Sequence, residues 1–320
     1  MKPELVIMKA IYAPTIAELE REFTVHKLWT VPDPDALIRQ VGAGVRAAVT
    51  TPSTGFSRRD FEGFPRLEIL ACFGPHVELI DFAAARERGV AVTCTLDSTA
   101  EPVADLAMGM IVAVMRRLCE GDRFVRAGKW PAGVFASGVE MRGKTCGIIG
   151  FGRIGRELAK RAASFGMSIC YHGPRIKDGV SYPYFADLAA MAREADCLAV
   201  TCPLTPATRD LVDARILGAL GPDGFLVNVA RGAIVDERAL IAALANKQIA
   251  GAALDVFQDE PHVPAALMQM DNVVLAPHIG TSTREVREGR SNKLLGDLRA
   301  HFSGEPLRYE LKHESEAVKK

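Results

Sequence analysis

The sequence predicts an α/β fold of two doubly wound parallel-sheet domains. Three observations carry that expectation. Short apolar runs alternate with stretches of helical period along the chain, the pattern of parallel strands joined by covering helices. With 320 residues the chain exceeds one ordinary hydrophobic core, since domains run to roughly 100–200 residues. A composition of 48% hydrophobic and 24% charged residues can bury a large core.

The strand candidates follow in order: residues 5–8 (LVIM), 45–51 (VRAAVTT), 67–73 (LEILACF), 90–95 (VAVTCT), 145–150 (TCGIIG), 167–171 (MSICY), 197–202 (CLAVTC), 225–230 (FLVNVA), 250–256 (AGAALDV) and 273–277 (VVLAP). Between the fourth and fifth, Glu101 to about Arg126 reads as one long helix, opened by Glu101-Pro102 and striped by Leu106, Met110, Val114 and Leu118. It is expected to connect the domains and begin the second. A last helix, about Ser282 to His301, stops before Ser303-Gly304-Glu305-Pro306 and can return the chain to the first domain. The expected division is residues 1–100 plus 286–320 for one domain and 101–285 for the other. The polar tail from Lys312 is expected to fray.

Composition also excludes some functions. Lys plus Arg and Asp plus Glu both number 39, so net charge offers no case for nucleic acid or an anionic membrane as partner. No window approaches the ~20 apolar residues of a membrane span, and MKPELVIMKAIYAP lacks the features of a secretory leader, so the expected compartment is the cytoplasm. The seven cysteines are scattered, mostly within strand candidates, and no Cys-x-x-Cys occurs; buried core residues are expected, with Cys202 the best placed of them for a reactive thiol.

One motif stands at the start of the second domain. The strand at 145–150 runs into Gly150-Phe151-Gly152-Arg153-Ile154-Gly155, and a helical pattern (Ile154, Leu158, Ala159, Ala162) follows at once. Gly150 makes the tight turn, Gly152 lets main chain approach a pyrophosphate, and Gly155 allows close packing of helix on strand. In that context Gly-x-Gly-x-x-Gly points to a dinucleotide. An NAD site places an acidic residue about 20 residues on to bind ribose hydroxyls. Here no acidic residue occurs between Glu157 and Asp178. Arg175 and Lys177 stand where a 2′-phosphate is expected, with His172 and Gly173 leaving room, so NADP(H) is the expected cofactor; the alternative makes Arg175 a solvated loop residue.

Three later segments end apolar strands with polar residues, where parallel sheets build ligand sites: Asn228-Val229-Ala230-Arg231-Gly232, Asp255-Val256-Phe257-Gln258-Asp259-Glu260-Pro261 and Pro277-His278-Ile279-Gly280. Reduction of a carbonyl by hydride builds charge on oxygen, which calls for a positioned acid such as imidazolium. A neighbouring carboxylate favours the charged imidazole. A guanidinium offers a planar two-point contact to a carboxylate or oxyanion. Singly, Arg231 reads as well as a surface charge, Glu260 as a loop carboxylate and His278 as a core histidine; together and in order they point to a site.

These segments, the glycine turn and Phe124-Val125-Arg126-Ala127-Gly128-Lys129-Trp130 resemble the D-2-hydroxyacid dehydrogenases, over about Ala48 to Pro306, and among them the NADPH-dependent glyoxylate and hydroxypyruvate reductases. The resemblance implies a flavodoxin-like substrate domain, a Rossmann cofactor domain and reduction of a small 2-keto acid to the D-2-hydroxy acid. Arg231 would bind the acid's carboxylate and carbonyl, His278 would donate the proton, Glu260 would pair with His278, and Asp255 would lie near the nicotinamide amide. The expected cofactor contacts are Gly150, Phe151, Gly152, Arg153, Ile154, Gly155, His172, Gly173, Arg175, Cys202, Pro203, Thr208, Val229, Ala230, Asp255 and Gly280.

The family's substrate loop, often Phe-Gly-Val-Gly, corresponds here to Phe73-Gly74-Pro75-His76. Pro75 has no N–H, so one amide contact is lost and Gly74 and His76 take the burden. Phe73, Gly74 and His76 are the expected substrate contacts of the first domain, joined by Arg231 and His278 from the second; Thr51 and Ser53 are weaker candidates, and closure is expected to bring Gly74 and Arg231 onto one acid. His26, His172, His262, His301 and His313 show no patterned companions and no zinc spacing, so no metal is expected. The apolar stretch after Glu101, with Trp130, suggests a homodimer. Rivals on the same fold are a nucleotide-sensing binding protein and dehydrogenases of phosphoglycerate, D-lactate or phosphite type. A formate branch, which pairs the histidine with Gln, is disfavoured by Glu260.

Overall fold

The structure, a computed structural model, describes residues 2–95 and 99–312; the tail from His313 lies outside the described residues. The chain forms two compact units, Met1–Ser98 with Arg284–Lys320, and Thr99–Thr283.

In the first unit β1 (Glu4–Ile7), α1 (Ala13–Glu22), β2 (Thr24–Lys27), α2 (Pro34–Val41), β3 (Val45–Thr50), α3 (Arg58–Gly63), β4 (Ile69–Cys72), α4 (Phe82–Glu87) and β5 (Ala91–Cys94) follow one another. All strand pairs are parallel, in the order β2-β1-β3-β4-β5. Because successive side chains point to opposite faces, Leu5, Ile7, Val49 and Ile69 build one core layer and Val6, Ala48, Leu70 and Val92 the other. Asp33, Ser57 and Asp81 start α2, α3 and α4 by accepting the amides of Ala36, Asp60 and Ala84.

The second unit contains α5 (Ala100–Met115), α6 (Leu118–Arg126), β6 (Thr145–Ile149), α7 (Arg153–Ser164), β7 (Ser168–His172), β8 (Tyr184–Phe185), α8 (Leu188–Glu194), β9 (Cys197–Val200), α9 (Ala214–Leu220), β10 (Phe225–Asn228), α10 (Glu237–Ala245), β11 (Gly251–Leu254), α11 (Ala265–Met268) and β12 (Val273–Leu275). Its sheet, again wholly parallel, runs β12-β11-β10-β9-β6-β7-β8. The order reverses between β6 and β9, which leaves a crevice beyond their C-terminal ends. Ile148, Tyr171, Ala199 and Val227 pack with α5 and α7, while Ile149, Leu198, Leu226 and Leu254 pack with α8, α9 and α10. Helix α12 (Arg284–Ser303) returns to the first unit and sets Leu294, Leu295 and Leu298 among Leu5, Ile7 and Leu19. Among the described residues no helix is long and apolar enough to cross a membrane.

Every strand candidate is a strand, but β2 and β8 were not anticipated. Both are edge strands, short and paired on one side only, so neither needs an apolar run. The single long helix is corrected to two. Arg117 adopts φ 55°, the Met115 carbonyl accepts from Val139 N (2.8 Å), and a Cβ on Gly138 would lie 2.9 Å from Arg116 Cα. Residues 138 and 139 thus cross the end of α5 and take the carbonyl that a continuing helix would use.

The apolar side of α5 is also no surface awaiting a partner: Val103, Ala107, Met110, Ile111 and Val114 are buried in their own unit. The exposed apolar residues come later, at Leu118, Val125, Trp130 and Val134. Six cysteines are buried, and Cys119 lies on α6. Burial pushes the Cys202 thiol up to about 11, which removes it as a reactive thiolate at neutral pH. Three histidines without patterned companions in the sequence have carboxylate neighbours in space: His26 with Glu4 (2.9 Å), His301 with Glu68 (3.1 Å) and His262 with Asp259 (3.6 Å). These partners lie on a neighbouring strand, just before β4 or in a local turn, which linear spacing does not reveal.

Candidate active site

At the end of β6 the three glycines have distinct tasks. Gly150 has φ 94°, and a Cβ there would lie 2.5 Å from the Cys202 main chain. Gly155 packs so closely that a Cβ would meet Gly150 O at 2.4 Å. The turn is pinned by Gly150 N donating to His172 O (2.9 Å) and by the Thr201 hydroxyl donating to Gly150 O (2.6 Å). Gly152, the N-cap of α7, has no side-chain cap, and a Cβ on it would meet nothing within 4 Å. An open approach to uncapped helix amides fits a dinucleotide pyrophosphate.

Three neighbouring strand ends, those of β10, β11 and β12, carry the candidate catalytic groups. After β10 the buried Asn228 side chain accepts from Ala230 N and donates to Arg231 O, both at 3.0 Å, fixing the main chain that presents Arg231. A Cβ on Gly232 would lie 2.0 Å from Phe257 C, so this turn can close only with glycine there. Phe257 N in turn donates to Glu260 Oε1 (3.1 Å). Glu260 Oε2 lies 2.7 Å from His278 Nδ1. A carboxylate only accepts, so Nδ1 carries the hydrogen and Nε2 is left to face a ligand.

Asp255, at the end of β11, completes the circuit. It is 1% exposed, its carbonyl accepts from His278 N (2.9 Å), and its carboxylate accepts from Ile279 N (2.7 Å) and Gly280 N (2.9 Å). Burial pushes its carboxyl above the usual range, opposed by those amides and by the nearby imidazole. Three successive amides converging on one residue hold His278 at φ 52°, a left-handed conformation that costs on the order of 1–3 kcal/mol outside glycine. That conformation turns the imidazole toward Glu260.

The remaining expected residues fall into groups. The Phe151 ring is buried against Tyr171 (4.5 Å between centroids), and Cys202, Val229 and Ala230 are also buried, so their main chain is what the crevice can use. Ile154 packs against the same core, and Arg153 begins α7. His172 Nδ1 is tied to Phe185 O (2.9 Å), and Gly173 begins the exposed segment that carries Arg175. The Thr208 hydroxyl donates to Pro203 O (2.7 Å), folding the loop after β9. In the first unit Phe73 is buried, a Cβ on Gly74 would strike Pro52 at 2.4 Å, and His76 Nδ1 stands 3.4 Å from Glu78; Thr51 Oγ1 lies 3.2 Å from Ser53 Oγ. Asn228 and Thr201 were not anticipated as site-builders. Their signal was a polar residue closing an apolar strand. A cleft of about 470 Å³ lined by Val114, Met115, Phe225 and Asn272 lies at the opposite ends of these strands and holds none of the groups above.

Residues 108–280 match the family described as "D-isomer specific 2-hydroxyacid dehydrogenase, NAD binding domain". A glyoxylate/hydroxypyruvate reductase of Arabidopsis thaliana is 44% identical over 290 residues, covering 91% of this chain and 93% of that one. The 2-ketogluconate reductase of Gluconobacter oxydans is 35% identical over 306 residues, 96% and 97% of the two chains. Among solved structures, a 2-hydroxyacid dehydrogenase from Ketogulonicigenium vulgare superposes with TM-score 0.88 at 37% identity, covering 98% and 100%. An NADPH-dependent glyoxylate/hydroxypyruvate reductase from Sinorhizobium meliloti, in complex with NADP and malonate, gives 0.81 at 36% identity, covering 97% of each. The chain therefore belongs to the D-isomer specific 2-hydroxyacid dehydrogenases, a family of nicotinamide-dependent oxidoreductases.

Proposed function

We propose that this protein is an NADPH-dependent reductase that converts a small 2-keto acid, of the glyoxylate and hydroxypyruvate kind, to the D-2-hydroxy acid. The observation that carries the reading is the His278–Glu260 pair at 2.7 Å, held by the Asp255 clamp. A reduced nicotinamide held at the glycine turn would supply the hydride for the carbonyl carbon. His278 Nε2 gives its proton to the keto oxygen, while Nδ1–H stays on Glu260 and the carboxylate stabilises the imidazolium. Arg231 binds the acid's carboxylate and carbonyl and offsets the charge that develops on oxygen. Gly150, Gly152 and the first turn of α7 receive the pyrophosphate, and Arg175 with Lys177 receives the 2′-phosphate.

We assign substrate binding in the first unit to the Phe73, Gly74 and His76 loop, and cofactor binding to the second unit. Two supports come from relatives: glyoxylate/hydroxypyruvate reductases stand among them, and one solved relative is named as NADPH-dependent. We also propose a homodimer, supported by Trp130 and Val134, 67% and 98% exposed; light scattering at micromolar concentration should give twice the chain mass, and a monomer would refute it. The main test is initial rates with glyoxylate, hydroxypyruvate, pyruvate and phenylpyruvate, each with NADPH and NADH. Fast reduction of the first two with NADPH is expected. Absence of turnover with all four would overturn the reading.

A further inference from the structure

Between β7 and β8 the chain runs through residues 173–183, and this segment is held in an unusual way. Among the described residues, 174–176 make no main-chain to main-chain hydrogen bond, and a tight turn at Asp178-Gly179 follows. Two tyrosine hydroxyls tie the segment's main chain to the body of the unit. The Tyr184 hydroxyl donates to Gly173 O (3.0 Å), and the Tyr171 hydroxyl accepts from Lys177 N (2.9 Å). Gly173 and Lys177 bracket Arg175, whose side chain stands exposed at the middle of the bracket.

The two rings are themselves fixed. Tyr171 is 0% exposed and lies 4.5 Å from Phe151 and 5.3 Å from Tyr184, centroid to centroid. A phenylalanine would fill that core position as well; the hydroxyl's partner in the segment is what distinguishes tyrosine there. Through Phe151 the same stack reaches the glycine turn, so the turn and the Arg175 segment share one rigid support.

We infer that Tyr171 and Tyr184 are positioning residues for cofactor selectivity, holding the Gly173–Lys177 segment so that Arg175 and Lys177 meet the 2′-phosphate of the dinucleotide. The inference rests on the proposed NADPH preference and explains how a segment with few main-chain ties around Arg175 can express it. A segment ordered before binding loses less conformational freedom when the phosphate arrives, and that saving applies only to the phosphorylated cofactor.

The test uses Tyr171→Phe, Tyr184→Phe, the double variant and Arg175→Ala, with Kd for NADP+ and NAD+ from calorimetry and KM for NADPH and NADH from initial rates. Each lost hydroxyl is expected to weaken NADP+ by about threefold to tenfold, the scale of one hydrogen bond, with NAD+ changed by less than about twofold. The double variant should lose most of the selectivity that Arg175→Ala loses. If the wild type prefers NADP+ and Arg175→Ala abolishes the preference while the double variant keeps it, the clamp is wrong and the cofactor reading stands. Equal weakening of both nucleotides also overturns the clamp. If the wild type shows no preference, the cofactor reading fails and the clamp with it. Should Tyr171→Phe fold poorly, Tyr184→Phe at its half-buried position decides alone, and an unchanged Kd ratio for it overturns the inference.

Discussion

Asp255 in the second unit and Asp297 in the first hold main chain in the same way. Each is buried, at 1% and 2% exposure, and each carboxylate accepts two successive amides: Ile279 and Gly280 in one case, Arg308 and Tyr309 in the other. In both, burial pushes the carboxyl above its usual range and the amides pull it back. They differ in what they hold. Asp255 fixes a loop that begins with a left-handed His278 aimed at Glu260, whereas Asp297 fixes the segment that bridges Glu310 to Thr93 and donates Leu311 N to Val92 O. A perturbed buried carboxylate is therefore no sign of chemistry by itself; the group that its clamped segment carries decides.

If the difference is real, activity should depend on the Asp255 circuit and only stability on Asp297. The largest effect is expected at Arg231, which the same circuit presents through Asn228 and Gly232. Arg231→Ala should lower kcat/KM by about a thousandfold, the scale of losing a donor aimed at developing charge. A variant within about threefold of wild type would remove Arg231 from the site. Next come the two aspartates. Asparagine at either position sets an NH2 group against a backbone N–H, a buried mismatch worth about 1–3 kcal/mol. Both Asp255→Asn and Asp297→Asn should lower Tm by several degrees. Only Asp255→Asn should also reduce kcat, by about tenfold or more, because a freed loop no longer aims His278. Similar kcat losses in both variants would break the comparison.

The smallest effect is on the pH dependence of stability. A carboxyl whose folded pKa is raised takes up its proton in the native state before the unfolded chain does. Its contribution to stability therefore grows as pH falls through the folded value and is complete below the unfolded value, about 3.9. The stability advantage of wild type over Asp297→Asn, from urea midpoints, should increase as pH falls from neutral toward the unfolded value. An advantage that shrinks on acidification would mean that the amides outweigh burial.

Much of this was legible in the chain. The ten apolar runs are strands because strands covered on both faces must be apolar throughout, and the glycine turn was readable because each glycine answers a separate steric demand. Arg231, Glu260 and His278 were readable as candidates, being polar residues on the loops that follow apolar strands. The break at Arg117 was not, because its cause is a main chain more than twenty residues further on; nor was the clamp at Asp297, which acts on main chain and leaves no spacing to find. Edge strands such as β8 escape for a related reason, since a strand with one neighbour carries little pattern.

His278 is proposed to deliver the proton to the keto oxygen from a ring set by Glu260 and the Asp255 clamp. The most direct measurement compares wild type with His278→Gln in glyoxylate reduction under saturating NADPH, with NADPH Kd determined on the same samples. Expected is a fall in kcat of about a hundredfold, at the lower end of what a positioned acid contributes, with Kd held within about twofold. A variant that keeps its turnover, or loses NADPH binding while turning over normally, would contradict the account.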